Sequence, residues 1–293
     1  MHTIGINTLH FNTDFRYMKT LNQLHINGKR VLMRVDFNVP LNASFEVTDQ
    51  TRIMATVPTI QYILKEGGSV VLMSHLGRPK GGPEDKYSLR HILPALNSIF
   101  KTEVLFAPDC IGDEAYTLSA ALQPGKILLL ENVRFYKEEE KGDNTFAQKL
   151  SKHGDIYVND AFGTAHRAHA STTIVAKFFR EKGMGYVMQA ELENAAKVLE
   201  YAEKPFTAIM GGAKISDKIL IIEKLMDRVD NLIIGGGMAY TFFKAMGGAI
   251  GKSLCEEDKL DLAKELMAKA KNMGVHLILP TDSITADQFA NEA

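Results

Sequence analysis

The chain has 293 residues, and 34 Lys and Arg against 35 Asp and Glu give it a formal net charge of -1. At roughly 150 residues per domain, this length predicts two compact units. Hydrophobic residues make up 45% of the chain and charged residues 24%, which excludes global disorder, and the balanced charge argues against nucleic acid as a partner. No window approaches the roughly 18 apolar residues of a membrane span.

Short apolar runs alternate with helical patterns along the chain, which is typical of parallel sheets covered on both faces. The first 17 residues show no periodicity, and we expect a disordered N-terminal extension over 1–17. Strands are predicted at 31–37, 69–75, 104–108, 126–132, 156–162, 206–212, 231–237 and 276–282. Helices are predicted at 49–66 with an interruption at Pro58, and at 88–100, 143–152, 189–203, 216–230 and 256–273. The fold class is therefore α/β and doubly wound.

A glycine-bearing segment and a long amphipathic helix over 183–204 are expected to connect two Rossmann-like domains. We predict a first domain at 18–188 and a second at 189–293. A doubly wound half normally has about six strands, whereas three are predicted after residue 204, so we expect the second domain to be truncated. Cys110 and Cys255 lie far apart and predict no disulfide framework, as expected in the cytoplasm.

Polar and cationic residues follow the predicted strands of the first half, where open α/β sheets bind ligands. These positions are Asp36, Phe37 and Asn38 after the first strand, His75, Leu76, Gly77 and Arg78 after the second, Arg134 and Arg167 after later strands, and Arg52 at the start of the first helix. Guanidinium groups bind phosphate and carboxylate oxygens in pairs of hydrogen bonds. Each arginine alone could be an ordinary surface residue, but together they predict a pocket for a phosphorylated small acid.

His166 and His169 form an HxxH pair that Asp160 could complete as a metal site. A zinc site normally needs at least three ligands at set spacing. We therefore expect these histidines to bind an anion or order a loop, and we expect no metal site in the chain.

Glycine-rich segments follow two predicted strands of the second half, where a phosphate could approach the backbone and a helix N-terminus. The candidate nucleotide-binding residues are Gly211, Gly212, Ala213, Lys214, Lys218, Gly235, Gly236 and Gly237. Tyr240 replaces the third glycine of a dinucleotide fingerprint, which disfavours an NAD-dependent oxidoreductase. Segment 246–253 approximates a P-loop, but Met246 replaces its first glycine and a predicted helix precedes it, so we interpret it as a helix terminus.

An acidic-metabolite site in one half and a nucleotide site in the other suggest phosphoryl transfer. A carboxylate substrate is already ionised at neutral pH, so such a reaction needs no general base. Positioning and charge neutralisation by Arg, Lys and backbone amides would suffice.

Seven segments resemble, in order, the motif series of the phosphoglycerate kinase family. They are RVDFNVP (34–40), SHLGRP (74–79), LLENVRF (129–135), NDAFGTAHRAHAS (159–171), GGAKISDKI (211–219), IIGGGMAYTF (233–242) and LPTDSITADQF (279–289). The resemblance implies a phosphotransferase with a carboxyl acceptor, which moves a phosphoryl group reversibly between 1,3-bisphosphoglycerate and ADP in glycolysis. The products are 3-phosphoglycerate and ATP, and Mg2+ accompanies ATP or ADP.

The resemblance also implies roles for individual residues. Asp36, Phe37, Asn38, Arg52, His75, Leu76, Gly77, Arg78, Arg134 and Arg167 would form the 3-phosphoglycerate site. Arg52 and Lys214 would act on the transferring phosphoryl group, and Lys218 would contact nucleotide phosphates. The glycines of the second half would border the nucleotide.

The chain departs from the family pattern at its end. The chain contains no Trp, and neither the family's WNGP segment nor its GGGD loop occurs, so the resemblance puts the magnesium-linked Asp beyond residue 293. We therefore expect a cytoplasmic monomer that is a fragment with little activity. A non-catalytic module that binds a phosphorylated metabolite is the alternative.

Overall fold

The computed structural model describes residues 19–80, 82–200 and 202–287. The chain divides into two compact units, one reaching to Asn194 and the other starting at Ala195. The expected extension at 1–17 lies outside the described residues. Among the helices of these ranges, none has the length and apolar character needed to cross a membrane.

A seven-stranded sheet forms the centre of the first unit. Its strands are β1 (Lys19–Thr20), β2 (Arg30–Arg34), β3 (Ser69–Met73), β4 (Val104–Ala107), β5 (Ile127–Leu130), β6 (Ile156–Asn159) and β7 (Lys182–Met184). The order is β1-β7-β6-β2-β3-β5-β4, and every pairing is parallel. This confirms the α/β class. The sequence pattern missed β1 and β7, because strands of two and three residues are too short to show a periodicity.

Both faces of this sheet are buried, which explains the continuous apolar runs of its strands. Val31 and Met33 of β2 pack into one hydrophobic cluster, and Leu32 between them packs into the cluster on the other face. Leu32 pairs in register with Val71 of β3 and Tyr157 of β6, so β2 lies at the centre of the sheet.

Seven helices begin in the first unit: α1 (Thr51–Lys65), α2 (Leu93–Phe100), α3 (Asp113–Ala120), α4 (Lys137–Lys141), α5 (Asn144–Ser151), α6 (Phe162–Ala165) and α7 (Tyr186–Glu200). The predicted interruption at Pro58 is wrong, since α1 runs through it. Pro58 is exposed, so the carbonyl that loses its N–H donor can be hydrated. Sequence patterns also missed α3, α4 and α6, and they placed the start of α2 at Ser88, which instead caps the 3-10 turn Leu89–Ile92.

The second unit contains β8 (Thr207–Gly211), β9 (Asn231–Gly235) and β10 (His276–Ile278) in a parallel sheet of order β10-β9-β8. Its helices are α8 (Ile219–Met226), α9 (Met238–Ala245) and α10 (Leu260–Asn272). Leu232, Ile234 and Phe242 are fully buried in its core. Segment 246–253 follows helix α9, so it lacks the strand that must precede a P-loop, as predicted.

Candidate functional site

The carboxyl ends of β2 and β3 bring three of the predicted polar residues together. Arg52, in the first turn of α1, donates from Nη1 to Asp36 Oδ2 at 2.7 Å. Nδ1 of His75 lies 4.0 Å from Asp36 Oδ1. Residues from two strand ends and a helix start therefore share one location, because the carboxyl ends of parallel strands meet at one edge of a sheet.

A second set of contacts joins the loops that follow β2, β3 and β5. The Asn38 side chain accepts from the Gly77 N–H at 2.8 Å, and Arg134 Nη1 donates to the Gly77 carbonyl at 3.1 Å. Gly77 has φ +64, and a Cβ there would lie 2.3 Å from the Tyr87 ring, so only glycine fits. Asn132 donates to the Leu76 carbonyl at 2.8 Å. The three loops are thus cross-linked into one rigid rim.

Several positively charged side chains surround His75 at this rim. Burial, followed by the charges of Arg34, Arg134, Arg167 and Arg52, lowers the pKa of His75 to about 2. The imidazole is therefore neutral at physiological pH, and the region around it favours anions. The group around His75, comprising Arg34, Arg52, Arg134 and Arg167, is called the cationic cluster below.

The remaining predicted residues of the first unit take different places. Phe37 and Leu76 pack their side chains into the apolar core, so only their backbone can face a ligand. Arg78 is exposed to solvent on the loop after His75. Arg167 is exposed and its Nε lies 3.4 Å from Nε2 of His166.

Asp160, which could have completed a metal site with the histidine pair, contacts the start of α7. Its Oδ1 accepts from the backbone N–H groups of Val187 at 2.9 Å and Met188 at 3.2 Å, at the start of α7. Burial raises the pKa of Asp160 to about 6. The carboxyl thus caps the helix N-terminus, a place where a negative group is favourable.

The predicted nucleotide-binding residues of the second unit follow β8 and β9. Gly211 and Gly235 are partners in the register of these strands, and the Met238 N–H at the start of α9 donates to the Gly212 carbonyl at 2.8 Å. Lys214 is exposed, and Lys218 immediately precedes α8. The glycine segments therefore lie side by side at one edge of the sheet.

Glu256, which the sequence patterns did not single out, anchors the loop that carries Lys214. Its Oε2 accepts from the Ile215 N–H at 2.6 Å and from the Ser216 N–H at 3.2 Å, and its Oε1 accepts from the Ser216 hydroxyl. Burial alone would raise the pKa of Glu256, but these hydrogen bonds outweigh it and lower the pKa. Glu256 is the first of three consecutive acids at 256–258, so nothing in the sequence distinguishes it as the residue that makes this contact.

The phosphoglycerate kinase family model matches residues 21–293. The chain belongs to the phosphoglycerate kinase family. This confirms the resemblance drawn from the seven motifs.

Relatives in the family include cytosolic and chloroplastic forms. The chain is 54% identical over 278 residues to a cytosolic phosphoglycerate kinase of Triticum aestivum, covering 95% of this chain and 69% of the relative. It is 53% identical to a chloroplastic phosphoglycerate kinase of Volvox carteri, covering 92% of this chain and 58% of the relative. A phosphoglycerate kinase structure from Coxiella burnetii superposes with a TM-score of 0.79 at 39% identity, covering 90% of this chain and 66% of that one. The chain thus spans about two thirds of the length of most of these kinases.

Among the glycines of the second unit, Gly236 is the one whose substitution we expect to lower the free energy of unfolding most. Its φ is +69, and a Cβ there would lie 2.9 Å from the Gly212 N atom. We expect Gly236→Ala to lower the free energy of unfolding by about 1–2 kcal/mol through the left-handed backbone, with crowding in addition. Gly247→Ala is the matched control, since Gly247 has φ +89 with nothing within 4 Å of its Cβ position. Urea titration followed by the NMR signals of β9 amides should show the larger loss for Gly236→Ala; equal losses would contradict the crowding.

Proposed function

We propose that the first unit binds 3-phosphoglycerate or 1,3-bisphosphoglycerate and that the second binds ADP or ATP, for the phosphoglycerate kinase reaction of glycolysis. The observation that carries this proposal is the cationic cluster, in which Arg34 contacts the buried His75 and Arg52 pairs with Asp36 beside it. Burial and then the four guanidinium charges lower the pKa of this histidine. Guanidinium forks suit phosphate and carboxylate oxygens, and a bisphosphorylated acid presents both kinds of group.

Individual residues of the first unit receive roles on the same basis. Arg52, Arg134 and Arg167 would bind the anionic groups of the substrate, with the exposed Arg78 joining them. Asp36, Asn38 and His75 would bind its hydroxyl and acid oxygens, and Phe37, Leu76 and Gly77 would contribute backbone groups. The cross-linked loops hold Asn38, Gly77 and Arg134 in place before the ligand arrives, which reduces the entropy lost on binding.

The reaction that we propose needs little covalent chemistry from the protein. The acid oxygen of 3-phosphoglycerate is ionised at neutral pH, so it can attack the terminal phosphorus of ATP without a general base. The bond from that phosphorus to the bridging oxygen of ADP breaks, and ADP leaves with the electron pair. Charge builds on the transferring phosphoryl group, and we assign its stabilisation to Arg52 and Lys214. Gly211, Gly212, Ala213, Lys218 and Gly235 to Gly237 would border the nucleotide phosphates.

Magnesium is proposed as a companion of the nucleotide and not as a resident ion of these residues. Over the described ranges, no three His, Cys, Asp or Glu side chains gather into a group that could hold a metal. Magnesium in nucleotide sites is usually held by one or two carboxylates together with the phosphates, and the roles assigned above do not depend on a protein-held ion.

We further propose that the 293-residue polypeptide by itself turns over little, since it spans about two thirds of the length of most of its relatives. A coupled assay with ATP and 3-phosphoglycerate should show a rate near the background. Titration with 3-phosphoglycerate up to about millimolar should nevertheless shift the NMR signals of His75 and Arg78. Substantial turnover would refute the inactivity, and unshifted signals would refute the binding site.

A non-catalytic module that binds a phosphorylated metabolite is the second candidate. It is favoured by one observation, namely that the cationic cluster is built entirely from the first unit. Such a module would bind 3-phosphoglycerate without binding nucleotide, so a parallel titration with ADP separates the two candidates. For cellular location we propose the cytoplasm, on the strength of the relatives named cytosolic, and we propose a monomer.

A further inference from the structure

Arg34 is a buried cation at the end of the central strand β2. Only 1% of the residue is exposed, and burial, its largest influence, lowers the pKa of the guanidinium. Its Nε donates to Ser171 Oγ at 2.9 Å and its Nη2 lies 3.2 Å from His75 Nδ1, while Nη1 donates to the Val35 carbonyl. A buried charge of this kind is costly unless an opposite charge compensates it.

Glu139 supplies the opposite charge from the five-residue helix α4. Its side chain is fully buried, and it accepts from the Ser171 N–H at 2.9 Å and from Ser171 Oγ at 2.6 Å. A serine hydroxyl has one proton. Since that proton goes to Glu139, Ser171 Oγ must be the acceptor for Arg34, and the three groups form a polarised chain from carboxylate to guanidinium.

The backbone around Ser171 is held in an uncommon conformation. Residues Ala170–Ile174 form a single π-helical turn, whose carbonyl groups do not follow the usual helical pairing. The Tyr157 hydroxyl lies 3.0 Å from the Ser171 carbonyl and 2.9 Å from the Thr172 carbonyl. The π-helical turn therefore presents Ser171 between Arg34 and Glu139 in a defined orientation.

The contact between Arg34 and His75, the last in this series of hydrogen bonds, decides the tautomer of His75. A guanidinium group has five N–H donors and no acceptor. Nδ1 of His75 must therefore accept the hydrogen bond from Arg34, and a neutral ring then carries its proton on Nε2. Burial and then the surrounding arginines lower the pKa of the ring and keep it neutral, as described above.

We propose that Glu139 is a positioning residue that acts through Ser171 and Arg34 to hold His75 as the neutral Nε2–H tautomer, a hydrogen-bond donor for the phosphorylated acid. The tautomer follows from the contacts alone, whereas its use toward a ligand rests on the proposed function. A positively charged histidine at this place would lose the hydrogen bond from Arg34. This series of hydrogen bonds thus makes Nε2 the nitrogen of His75 that donates.

The first test measures the tautomer in the unmodified protein. Long-range 1H–15N NMR of the histidine rings at pH 7 should show His75 neutral with the proton on Nε2, with or without 3-phosphoglycerate. A doubly protonated ring or a proton on Nδ1 would overturn the proposal. This measurement needs no variant, so it holds even where a substitution disturbs folding.

The second test removes the charge of Glu139. We expect Glu139→Gln to bind 3-phosphoglycerate roughly tenfold more weakly and to give a mixture of His75 tautomers. Ser171→Ala should act in the same direction, and Glu139→Asp should restore part of the affinity. Glu138→Gln is the matched control, because Glu138 is an exposed acid on the same helix.

The outcomes separate this proposal from the proposed function. If the unmodified protein binds 3-phosphoglycerate and folded Glu139→Gln has the same affinity and the same His75 tautomer, the positioning role is wrong. If the unmodified protein shows no binding at all while His75 has the expected tautomer, the proposed function fails and the chain of contacts stands.

Discussion

Acidification from pH 6.5 to about 4 should remove about 3 kcal/mol of stability from the first unit through His153 alone. His153 is fully buried, with Nε2 3.0 Å from the Cys110 carbonyl and Nδ1 2.8 Å from Ser119 Oγ. Burial, its largest influence, lowers the pKa of His153 from 6.5 to about 4. The unfolded chain therefore binds a proton in this window while the folded chain does not, so the free energy of unfolding falls as the pH falls.

The measurement is urea denaturation at a series of pH values between 4 and 7. Tyrosine fluorescence reports mainly on the first unit, because the chain lacks Trp and most of its tyrosines lie there. His153→Gln should show a shallower dependence of the free energy of unfolding on pH. His166→Gln is the control, since His166 is exposed in the same unit and its substitution should leave the dependence close to that of the unmodified protein. Identical slopes for His153→Gln and the unmodified protein would contradict the prediction.

Acidification should also destabilise the first unit through His75, since burial and its arginine neighbours lower the pKa of His75 to about 2. Its destabilising effect begins below the ordinary pKa of 6.5 and extends further into acid than that of His153. A bound anion would oppose it, because negative charge among the arginines favours protonation of the ring. The residual slope of the His153→Gln variant should therefore decrease when 3-phosphoglycerate is added.

Arg52→Ala should weaken 3-phosphoglycerate binding about 30-fold, which corresponds to about 2 kcal/mol for a charge-assisted hydrogen bond. Half of the Arg52 side chain is exposed, so its removal leaves no cavity. Its ion pair with Asp36 is partly open to solvent and contributes little to stability. The loss should therefore appear in the affinity, measured by calorimetry, and not in the free energy of unfolding.

Two further variants test whether the loss of affinity comes from the planar guanidinium group or from the change in charge. Arg52→Lys keeps the charge without the planar fork and should lie between the unmodified protein and Arg52→Ala. Lys65→Ala, an exposed cation at the other end of α1, changes the net charge equally and should bind as the unmodified protein does. Equal affinities of Arg52→Ala and Lys65→Ala would show that Arg52 makes no direct contact with the ligand.

Sequence patterns predicted Arg52, Arg134 and Arg167 of the cationic cluster, but they did not single out Arg34 or the residues that support it. Arg34 stands in the motif RVDFNVP between the apolar residues Met33 and Val35, and an Arg among buried apolar residues is itself a signal of a buried, partnered charge. Glu139 gives no such signal, because it lies within three consecutive acids, Glu138 to Glu140. The middle one is buried while its two neighbours are exposed.

The sequence by itself determined the α/β class, the central strands and the family. Strands buried on both faces must be apolar throughout, and the polar motifs must follow them where the strand ends meet. Only the tertiary structure decided that β1 and β7 extend the sheet, that Pro58 lies within a continuous helix, and that Glu139 and Ser171 lie behind Arg34. These features depend on contacts between segments far apart in the chain. A local pattern of residues does not specify the distant segment against which it will pack.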